Sequence, residues 1–438
     1  MPRLALHWQI LIAITTAILL GALVLKPMLE NEIAAAQYAI GFAEFLGDMF
    51  MRGLKMIIVP LILASIICGM ASMGTGEGLG RMGGKTLGYY MLSSTLAILV
   101  GLFFVNLFAP GIENGAPAGH LLNLSSPEDV ASELQKVEGK GGGDIAAIFL
   151  RMVPPNIVKA AADGQMLGLI CFGLLFGYFM LRIEGKYREV MVSFWQGVFD
   201  TMMGITMFVM KFAPLGVFGL ITVTVAKTGF NSFAPIATFF ATVLIALAFH
   251  TFVTMPLLLK VFAKINPLNQ FKAMAPALLT AFSTASSSGT LPLTMRCMEK
   301  NAGVSNRTTA FVLPMGATIN MDGTALYECV AAMFIAQAYG LDLGFTQQFT
   351  IVLVALLTSV GVAGIPSASL VAIVVILASV GLPAEGIGLL LITDRILDMI
   401  RTAVNVFSDS CCATIVASTE GEENLFLELG NGLKNKET

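Results

Sequence analysis

Apolar segments alternate with short polar connections along the first 262 residues of the chain. The apolar segments cover residues 7–25, 42–73, 86–108, 165–181, 192–225 and 236–262, and Pro60 interrupts the second of them. A membrane-spanning helix needs about 17 to 25 predominantly apolar residues. The pattern therefore predicts a series of membrane helices, the first of which is retained rather than removed as a signal peptide.

Basic residues mark every second connection between these segments. They are Arg3, Arg81, Lys85, Arg182, Lys186, Arg188, Lys260, Lys264 and Lys272. The other side carries residues 110–144, which are acidic, rich in glycine and too polar to cross a bilayer. Because lysine and arginine are enriched in cytoplasmic connections, we predict that both termini and the basic connections are cytoplasmic and that the acidic loop is external.

Two later segments depart from this pattern. Residues 281–294 (AFSTASSSGTLPLT) and 361–371 (GVAGIPSASLV) are rich in serine, glycine or proline, yet apolar residues flank them. They predict re-entrant hairpins, since non-helical backbone at membrane depth is tolerated only beside protein or a watery cavity. A helix with Asn and Asp follows each hairpin, at residues 316–328 and 394–409. This repeat of hairpin and helix is typical of inverted-repeat transporters, whose site lies between the repeats.

The last of these helices carries a polar stripe. Asp394, Asp398, Arg401, Asn405 and Asp409 are spaced to share one helical face roughly 22 Å long. A charge near the bilayer centre costs about 2.5 to 3.5 kcal/mol, so such a helix must face protein or a cavity. The stripe predicts a solute or ion site. The alternative is a buried ion pair between Asp398 and Arg401 that only fastens helices together.

The side chains of these segments suggest the chemistry of the site. Arg401 suits a carboxylate and Asp398 an ammonium group, so an amino acid with a second carboxylate would satisfy both. The sequence NMDGT at residues 320–324 predicts a helix break at Gly323 and places Asp322 where a hard cation could bind. Glu328 is a candidate proton carrier, and a glutamate that only faces a polar cavity is the alternative.

Composition fixes the broad class. Of 438 residues, 56% are hydrophobic and 12% are charged, and the mean hydropathy is +0.82, whereas soluble domains have about 25% charged residues. We predict an all-α polytopic membrane protein. The net charge of −3 and the lack of a basic stripe exclude nucleic acid as a partner. We predict that the six cysteines are buried thiols. His120 and His250 are isolated in sequence, so we predict that they have structural or surface roles.

Four ordered motifs resemble one family. SSSGTLP at residues 286–292, NMDGTALYE at 320–328, GIPSASLV at 364–371 and DRILDMIRTAVNVFSD at 394–409 are similar to the dicarboxylate/amino acid:cation symporters, the glutamate transporter family. The resemblance implies a homotrimer of elevator-type transporters with eight transmembrane helices and two re-entrant helical hairpins. Residues 1–264 would form mainly the scaffold, with spans 86–108 and 236–262 joining the transport core at 265–418, and residues 419–438 would form a cytoplasmic tail.

The resemblance also implies roles for individual residues. The implied substrate contacts are Ser287, Ser288, Thr324, Ile365, Asp398, Arg401, Thr402 and Asn405. One implied Na⁺ site comprises Gly316, Asn320, Asn405 and Asp409; a second comprises Tyr90, Ser93, Ser94, Asn320 and Asp322; a third comprises Thr318 and carbonyls at Ser359, Val360 and Val362. Glu328 occupies the position of the proton-carrying glutamate of animal members.

The sequence departs from the family at two positions. Archaeal members have an arginine at the position of Ala285 and animal members one at the position of Met399, so K⁺ counter-transport does not carry over. Asp409 argues against the proton-only branch and Arg401 against the neutral amino acid branch. We predict a symporter, not an enzyme, that takes up L-glutamate or L-aspartate with Na⁺, and with H⁺ as a candidate second ion, across a bacterial plasma membrane.

The sequence is also compatible with other functions. A C4-dicarboxylate:cation symporter would leave Asp398 without an ammonium partner, and a proton-only glutamate symporter would leave the cation sites unused. A passive anion channel would conduct without Na⁺. An intramembrane hydrolase built on Ser287 would need a base, yet no histidine or lysine lies near the serines in sequence.

Overall fold

The computed structural model describes residues 6–71, 77–122, 150, 152–162, 166–228, 233–341, 343–359, 368–380, 382, 387–423 and 425–426. These residues are almost entirely helical, as the hydropathy pattern predicts. One two-stranded antiparallel hairpin, β1 (Ile112–Glu113) with β2 (Ala116–Pro117), follows the third long helix and precedes a short 3₁₀ turn at Ala118–His120.

The first half of the chain supplies the helices that match the predicted spans. They are α1 (Leu6–Leu20), continued by a π-helical turn at Gly21–Leu25 into α2 (Lys26–Glu30); α3 (Ala34–Ala71); α4 (Glu77–Phe108); α5 (Ile157–Ala162); α6 (Met166–Met180); α7 (Gly185–Met210); α8 (Ala213–Thr228); and α9 (Phe233–Phe249). The last of these continues through a π-helical segment at His250–Thr254, α10 (Met255–Leu258) and a second π-helical segment at Leu259–Ala263.

The second half contains shorter helices and breaks. They are α11 (Pro267–Thr284), α12 (Ser287–Lys300), α13 (Asn306–Ile319), α14 (Asp322–Ala338), α15 (Phe345–Ser359), α16 (Ala368–Ser379) and α17 (Ile387–Thr419). The first predicted hairpin is α11 and α12, which pack on each other. The second is α15 and α16; its predicted tip lies outside the described residues.

The turn of the first hairpin is tight. Ala285 lies in the left-handed region with φ of 50°, and its N–H donates to the Ala281 carbonyl oxygen at 2.9 Å. Ser286 then caps α12, since its Oγ accepts a hydrogen bond from the Gly289 N–H at 3.1 Å. Glycine usually occupies such a left-handed position. Here alanine takes that conformation between the end of α11 and the cap of α12.

Three details differ from the sequence-based prediction. α3 runs through Pro60 without ending. The apolar block at 192–225 forms two helices, α7 and α8, with a bend of 52° between them. The break in the 316–328 segment lies at Asn320 and Met321 rather than at Gly323. The Asn320 side chain forms hydrogen bonds with Ser408 and Asp409 of α17.

The helices form two packed groups. In the first, α3 lies against α6, α7 and α8, and α1 packs on α8. Small residues allow this approach, because a side chain at Gly219 of α8 would collide with the Ala43 carbonyl oxygen of α3. In the second group, α4 and α9 pack on α14, and α11, α13 and α14 surround α17. α8 touches α17, and α16 touches α3 and α6.

Three described helical stretches are long and apolar enough to cross a membrane: Ile12–Glu30, Arg81–Phe108 and Ala234–Ala263. The bent pair Gly185–Val209 and Ala213–Lys227 would make a fourth. α17 has the length but carries five charged side chains from Asp394 to Asp409. These charges lower the hydropathy of α17, and they also make the interior of the second helix group polar.

Candidate substrate and cation site

Arg401 lies at the centre of the second helix group with 0% of its surface exposed. Its Nη2 donates to Asp394 Oδ1 at 3.0 Å and to Asp398 Oδ1 at 3.1 Å. The Tyr327 ring of α14 lies 3.8 Å from the guanidinium carbon, a cation–π contact. Nε and Nη1 have no hydrogen-bond partner among the described residues. A buried guanidinium with two unused donors presents a site for a carboxylate.

Asp398 carries two arginine contacts. Besides Arg401, it faces Arg395, whose Nη1 lies 3.6 Å from Asp398 Oδ2. Asp394, Arg395, Asp398 and Arg401 therefore form a four-charge cluster whose formal charges cancel. The buried ion pair that the sequence offered as an alternative is present. It does not by itself decide against a solute site, because the unused donors of Arg401 are not explained by that pair.

α14 docks directly beside this cluster through Asn405. The Asn405 Oδ1 accepts from the Gly323 N–H at 2.8 Å, and its Nδ2 donates to the Thr324 hydroxyl at 3.1 Å. A Cβ at Gly323 would lie 2.9 Å from the Arg401 carbonyl oxygen. Gly323 thus serves the close approach of two helices, which corrects its predicted role as the break.

The remaining predicted substrate contacts are only partly assembled. Thr402 donates its hydroxyl to the Asp398 carbonyl on its own helix at 2.7 Å. Ser287 is buried and Ser288 is exposed at the start of α12, which packs on α17. No described hydrogen bond joins either serine to Asp398 or Arg401. Ile365 lies outside the described residues.

A second buried cluster surrounds Asp322 and Asp409. The Asp322 Oδ1 accepts from Ser94 Oγ at 2.6 Å and from Ser93 Oγ at 3.2 Å, both on α4. Its Oδ2 accepts from Ser408 Oγ of α17 at 2.6 Å. These three hydroxyls bring α4, α14 and α17 together around one carboxylate.

Asn320 links this carboxylate to the other. Its Nδ2 donates to Asp409 Oδ1 at 2.9 Å and to Ser408 Oγ at 3.0 Å, so the break before α14 is held by α17. A Cβ at Gly316 would collide with Asp409 Oδ1 and lie 2.8 Å from the Tyr90 hydroxyl. Among the described residues, no lysine or arginine pairs with Asp322 or Asp409. Buried carboxylates surrounded by hydroxyl and amide oxygens form an environment suited to a hard cation.

The structure brings together most of the predicted cation ligands but not all of them. The Tyr90 hydroxyl donates to the Val312 carbonyl at 2.8 Å, next to this cluster. The Thr318 hydroxyl donates to the Met315 carbonyl of its own helix at 3.0 Å, and no described contact places it with Asp322 or Asp409. Ser359 ends α15. Val360 and Val362 lie outside the described residues.

His250 is the residue that sequence reasoning missed. It was predicted to be structural or at the surface, yet it is fully buried and its Nε2 lies 3.3 Å from Asp322 Oδ2. The two residues are 72 positions apart, so spacing could not join them. A usable signal was present, since an ionisable residue inside a predicted membrane span is a functional candidate by default.

Glu328 is also fully buried, on the part of α14 that packs against α15. Its Oε2 accepts from the Thr358 hydroxyl at 3.2 Å. Its Oε1 has no hydrogen-bond partner among the described residues. A carboxyl group so placed is satisfied on one oxygen only, which is consistent with a group that takes part in more than one state.

Discontinuous helices around buried charges are typical of secondary transporters, and comparison with known proteins assigns the chain to that class. It belongs to the sodium:dicarboxylate symporter family, which matches residues 6–419. The resemblance read from the four motifs is confirmed, as is the prediction that the protein is a transporter and not an enzyme.

Relatives match nearly the whole chain. It is 38% identical over 424 residues to a proton/sodium-glutamate symport protein of Geobacillus stearothermophilus, with 97% of this chain and 96% of that protein covered. It is 35% identical over 421 residues to the proton/glutamate-aspartate symporter of Escherichia coli K12, with 95% and 93% covered. It is 35% identical over 458 residues to human excitatory amino acid transporter 3, with 95% and 86% covered.

Proposed function

We propose that the protein is a symporter that takes up L-glutamate or L-aspartate across a bacterial plasma membrane, coupled to Na⁺, with H⁺ as a second coupling ion. The observation that carries this proposal is Arg401, a buried guanidinium whose Nε and Nη1 have no partner among the described residues. The names of the relatives, which are symporters or transporters of glutamate, aspartate or excitatory amino acids, support it.

The substrate fits the charges of the first cluster. The side-chain carboxylate would accept a hydrogen bond from the unpartnered Nη1 or Nε of Arg401, and the ammonium group would replace an arginine at Asp398. The α-carboxylate would bind the start of α12 at Ser287 and Ser288, with Thr324, Thr402, Asn405 and Ile365 completing the site. An acidic amino acid thus exchanges internal ion pairs for equivalent external ones, which limits the desolvation penalty of binding.

We assign Na⁺ to three sites. The first comprises Gly316, Asn320, Asn405 and Asp409; the second comprises Tyr90, Ser93, Ser94, Asn320 and Asp322; the third comprises Thr318, Ser359, Val360 and Val362. The Asp322 and Asp409 cluster supports the first two, because it gathers both carboxylates, the serine hydroxyls and the Asn320 amide. Asn405 instead contacts Gly323 and Thr324. The third rests on the family resemblance alone.

Three Na⁺ ions would supply enough free energy for strong accumulation. One Na⁺ that enters down a tenfold gradient and 100 mV supplies about 1.4 plus 2.3 kcal/mol. Three supply about 11 kcal/mol, against about 2.3 kcal/mol for moving one net negative substrate charge inward. The surplus permits accumulation over several orders of magnitude.

We assign the second coupling ion to Glu328, which would carry H⁺. Its burial and its unpartnered Oε1 support this role. The protein would form a homotrimer in which α4, α9 and residues 265–418 move as an elevator against a scaffold formed by the other helices. The two packed helix groups support that division. Eight spanning helices, two re-entrant hairpins and cytoplasmic termini complete the proposal.

The contacts of Glu420 support the proposed orientation of the chain in the membrane. Arg81 and Lys85 of α4 both contact Glu420, the residue after α17, at 2.6 Å. The basic N-terminal part of α4 and the end of α17 therefore lie on one side, as the positive-inside rule requires for two cytoplasmic segments.

The test is uptake of radiolabelled L-aspartate and L-glutamate into proteoliposomes. We expect uptake with an imposed Na⁺ gradient and little with choline replacing Na⁺, and excess succinate should compete less than unlabelled aspartate. Uptake driven by a proton gradient alone would contradict the Na⁺ assignment. Equal competition by succinate and aspartate would favour a C4-dicarboxylate carrier, and flux that is independent of Na⁺ would favour an anion channel.

A further inference from the structure

Asp322 is saturated with hydrogen-bond donors. Ser93 and Ser94 donate to its Oδ1, and Ser408 and His250 contact its Oδ2, at distances of 2.6 to 3.3 Å. All five residues are buried. A carboxylate oxygen has two lone pairs, so none is left for a cation when all four groups donate to Asp322. The single hydroxyl hydrogen of Ser93 can also turn to the Tyr90 carbonyl at 3.3 Å. Direct cation binding to Asp322 therefore requires one of the donors to change its role.

The four donors differ in whether they can do so. A serine hydroxyl is both donor and acceptor, and a rotation about its C–O bond presents a lone pair to a cation. The Nε2–H of an imidazole that faces a carboxylate is a donor only. The three serines can thus switch from donors to ligands, whereas His250 keeps the same hydrogen bond. His250 is the fixed partner of Asp322.

The backbone around His250 supports a fixed position. The residue begins the π-helical segment at His250–Thr254, and π-helical turns often re-aim side chains at functional sites. Phe252 of the same segment stacks on Phe271 of α11 with ring centroids 5.6 Å apart, and Phe271 stacks on Phe407 of α17 at 4.1 Å. This aromatic stack joins the segment to the residue before Ser408, so the imidazole and the hydroxyl that share Oδ2 are held together.

We infer that His250 is a positioning residue for the cation site: its hydrogen bond anchors Asp322 Oδ2 and leaves Oδ1, with Ser93 and Ser94, as the side that receives the ion. The inference rests on the proposed Na⁺ coupling. It adds His250 to the cation site and specifies that Asp322 Oδ1 is the carboxylate oxygen that faces the ion. The Nδ1 of the same ring has no partner among the described residues, so the contact with Asp322 is the polar interaction that accounts for a histidine here.

Two amide substitutions separate this role from simple packing. In His250→Gln the side-chain NH₂ reaches the place of Nε2 and can still donate to Asp322. In His250→Asn the NH₂ reaches only the place of Nδ1. Thr242→Val is the control on the same helix, because the buried Thr242 hydroxyl donates to the Thr238 carbonyl at 2.7 Å, within its own helix. The readout is the Na⁺ concentration that gives half-maximal thermal stabilisation of the purified protein without substrate.

We expect His250→Asn to raise the half-maximal Na⁺ concentration about tenfold, as for the loss of one hydrogen bond to a charged group. His250→Gln and Thr242→Val should stay within about twofold of wild type, since neither removes that donor. The KM for L-aspartate at saturating Na⁺ should change little in all three. A tenfold rise in His250→Gln would by itself overturn the inference, even if His250→Asn cannot be purified.

Two outcomes would overturn the inference. An equal shift in His250→Gln and His250→Asn would mean that the ring is needed for packing and not for its donor. A wild-type value in both would mean that Asp322 needs no anchor. A wild-type protein that Na⁺ does not stabilise at all would overturn the proposed Na⁺ coupling itself, and this inference with it.

Discussion

The two buried carboxylate clusters differ in how their charge is balanced. Asp394 and Asp398 lie against arginine side chains at 3.0 to 3.6 Å. Asp322 and Asp409 are surrounded instead by hydroxyl, amide and imidazole groups. The first cluster is neutral within itself, so a ligand must exchange ion pairs to enter. The second has carboxylates without a guanidinium or ammonium partner among the described residues, and we propose that a mobile cation balances their charge.

Replacing Arg401 should break the first cluster most severely. Arg401→Cys is expected to lower uptake of L-glutamate by at least about a hundredfold, because the side-chain carboxylate of the bound substrate loses its guanidinium partner. Uptake of a neutral amino acid such as L-serine should persist or appear. Parallel uptake assays in proteoliposomes measure both. Arg395→Cys, which removes the outer guanidinium, is the control and should keep acidic selectivity; glutamate uptake unaffected by Arg401→Cys would contradict the assignment.

Replacing Asp409 should break the second cluster. Asp409→Asn is expected to raise the Na⁺ concentration for half-maximal uptake by about ten- to a hundredfold, since a charged ligand is lost while the hydrogen bond from Asn320 can persist. Na⁺ titrations at saturating L-aspartate measure this shift. Asp394→Asn should instead raise the KM for the substrate. An unchanged Na⁺ dependence in Asp409→Asn would place the ion elsewhere.

The contact between the clusters can be tested at Gly323. A Cβ there would lie 2.9 Å from the Arg401 carbonyl oxygen, so Gly323→Ala should push α14 from α17 and destabilise the protein by about 1 to 3 kcal/mol. Thermal unfolding in detergent measures the loss, and both the substrate affinity and the Na⁺ affinity should fall. Gly88→Ala on α4 is the matched control, because no atom lies within 4 Å of the added Cβ. Equal effects of the two substitutions would contradict the close approach.

Glu328 lies on α14, the helix that contributes to both clusters, and its replacement tests whether a proton is coupled to transport. In wild type, an inward proton gradient of one pH unit should add about 1.4 kcal/mol, or up to tenfold accumulation, to that driven by Na⁺. Glu328→Gln keeps a polar group near Thr358 and should remove this increment while Na⁺-driven binding persists. The measurement is substrate accumulation in proteoliposomes with and without the pH gradient, for wild type and Glu328→Gln. An undiminished response in Glu328→Gln would assign the proton to another group.

The smallest effect is expected outside both clusters, at Glu420. Hydrogen bonds from Arg81 and Lys85 lower the pKa of Glu420 from 4.5 to about 2. A lowered pKa means that the ion pairs stabilise the fold above pH 4.5 and that this contribution is lost as the pH falls toward about 2. Glu420→Gln should therefore lower the Tm slightly at pH 7 and less at pH 3.5. A Tm difference that does not depend on pH would contradict this account.

Sequence reasoning predicted the helical membrane class, the first hairpin and the polar stripe of α17 because each depends on local pattern. Residues one helical turn apart share a face, so Asp398 and Arg401 could be joined from spacing alone. Contacts that depend on tertiary packing were not accessible. The pairing of His250 with Asp322 joins residues 72 positions apart. Arg395 lies three residues before Asp398 on the same helix, so spacing could have added it to the stripe, but the sequence-based prediction left it out.

The helix break was displaced for a similar reason. Glycine is a local signal for a break, so Gly323 was the natural choice. Asn320 leaves the helix because Ser408 and Asp409 of α17 bond its side chain, and those partners are 88 and 89 positions away. Gly323 is required by the backbone of Arg401, which is equally remote in sequence. The break between α13 and α14 is therefore set by partners on the facing helix.

We propose that the two clusters are separate sites and that binding at one changes the affinity of the other. Calorimetric titration of the purified protein with L-aspartate at a series of Na⁺ concentrations measures that coupling directly, since linkage requires each ligand to change the affinity for the other. We predict that the Kd for aspartate falls steeply as Na⁺ rises and that Asp409→Asn weakens this dependence. A Kd that is the same at all Na⁺ concentrations would contradict the account.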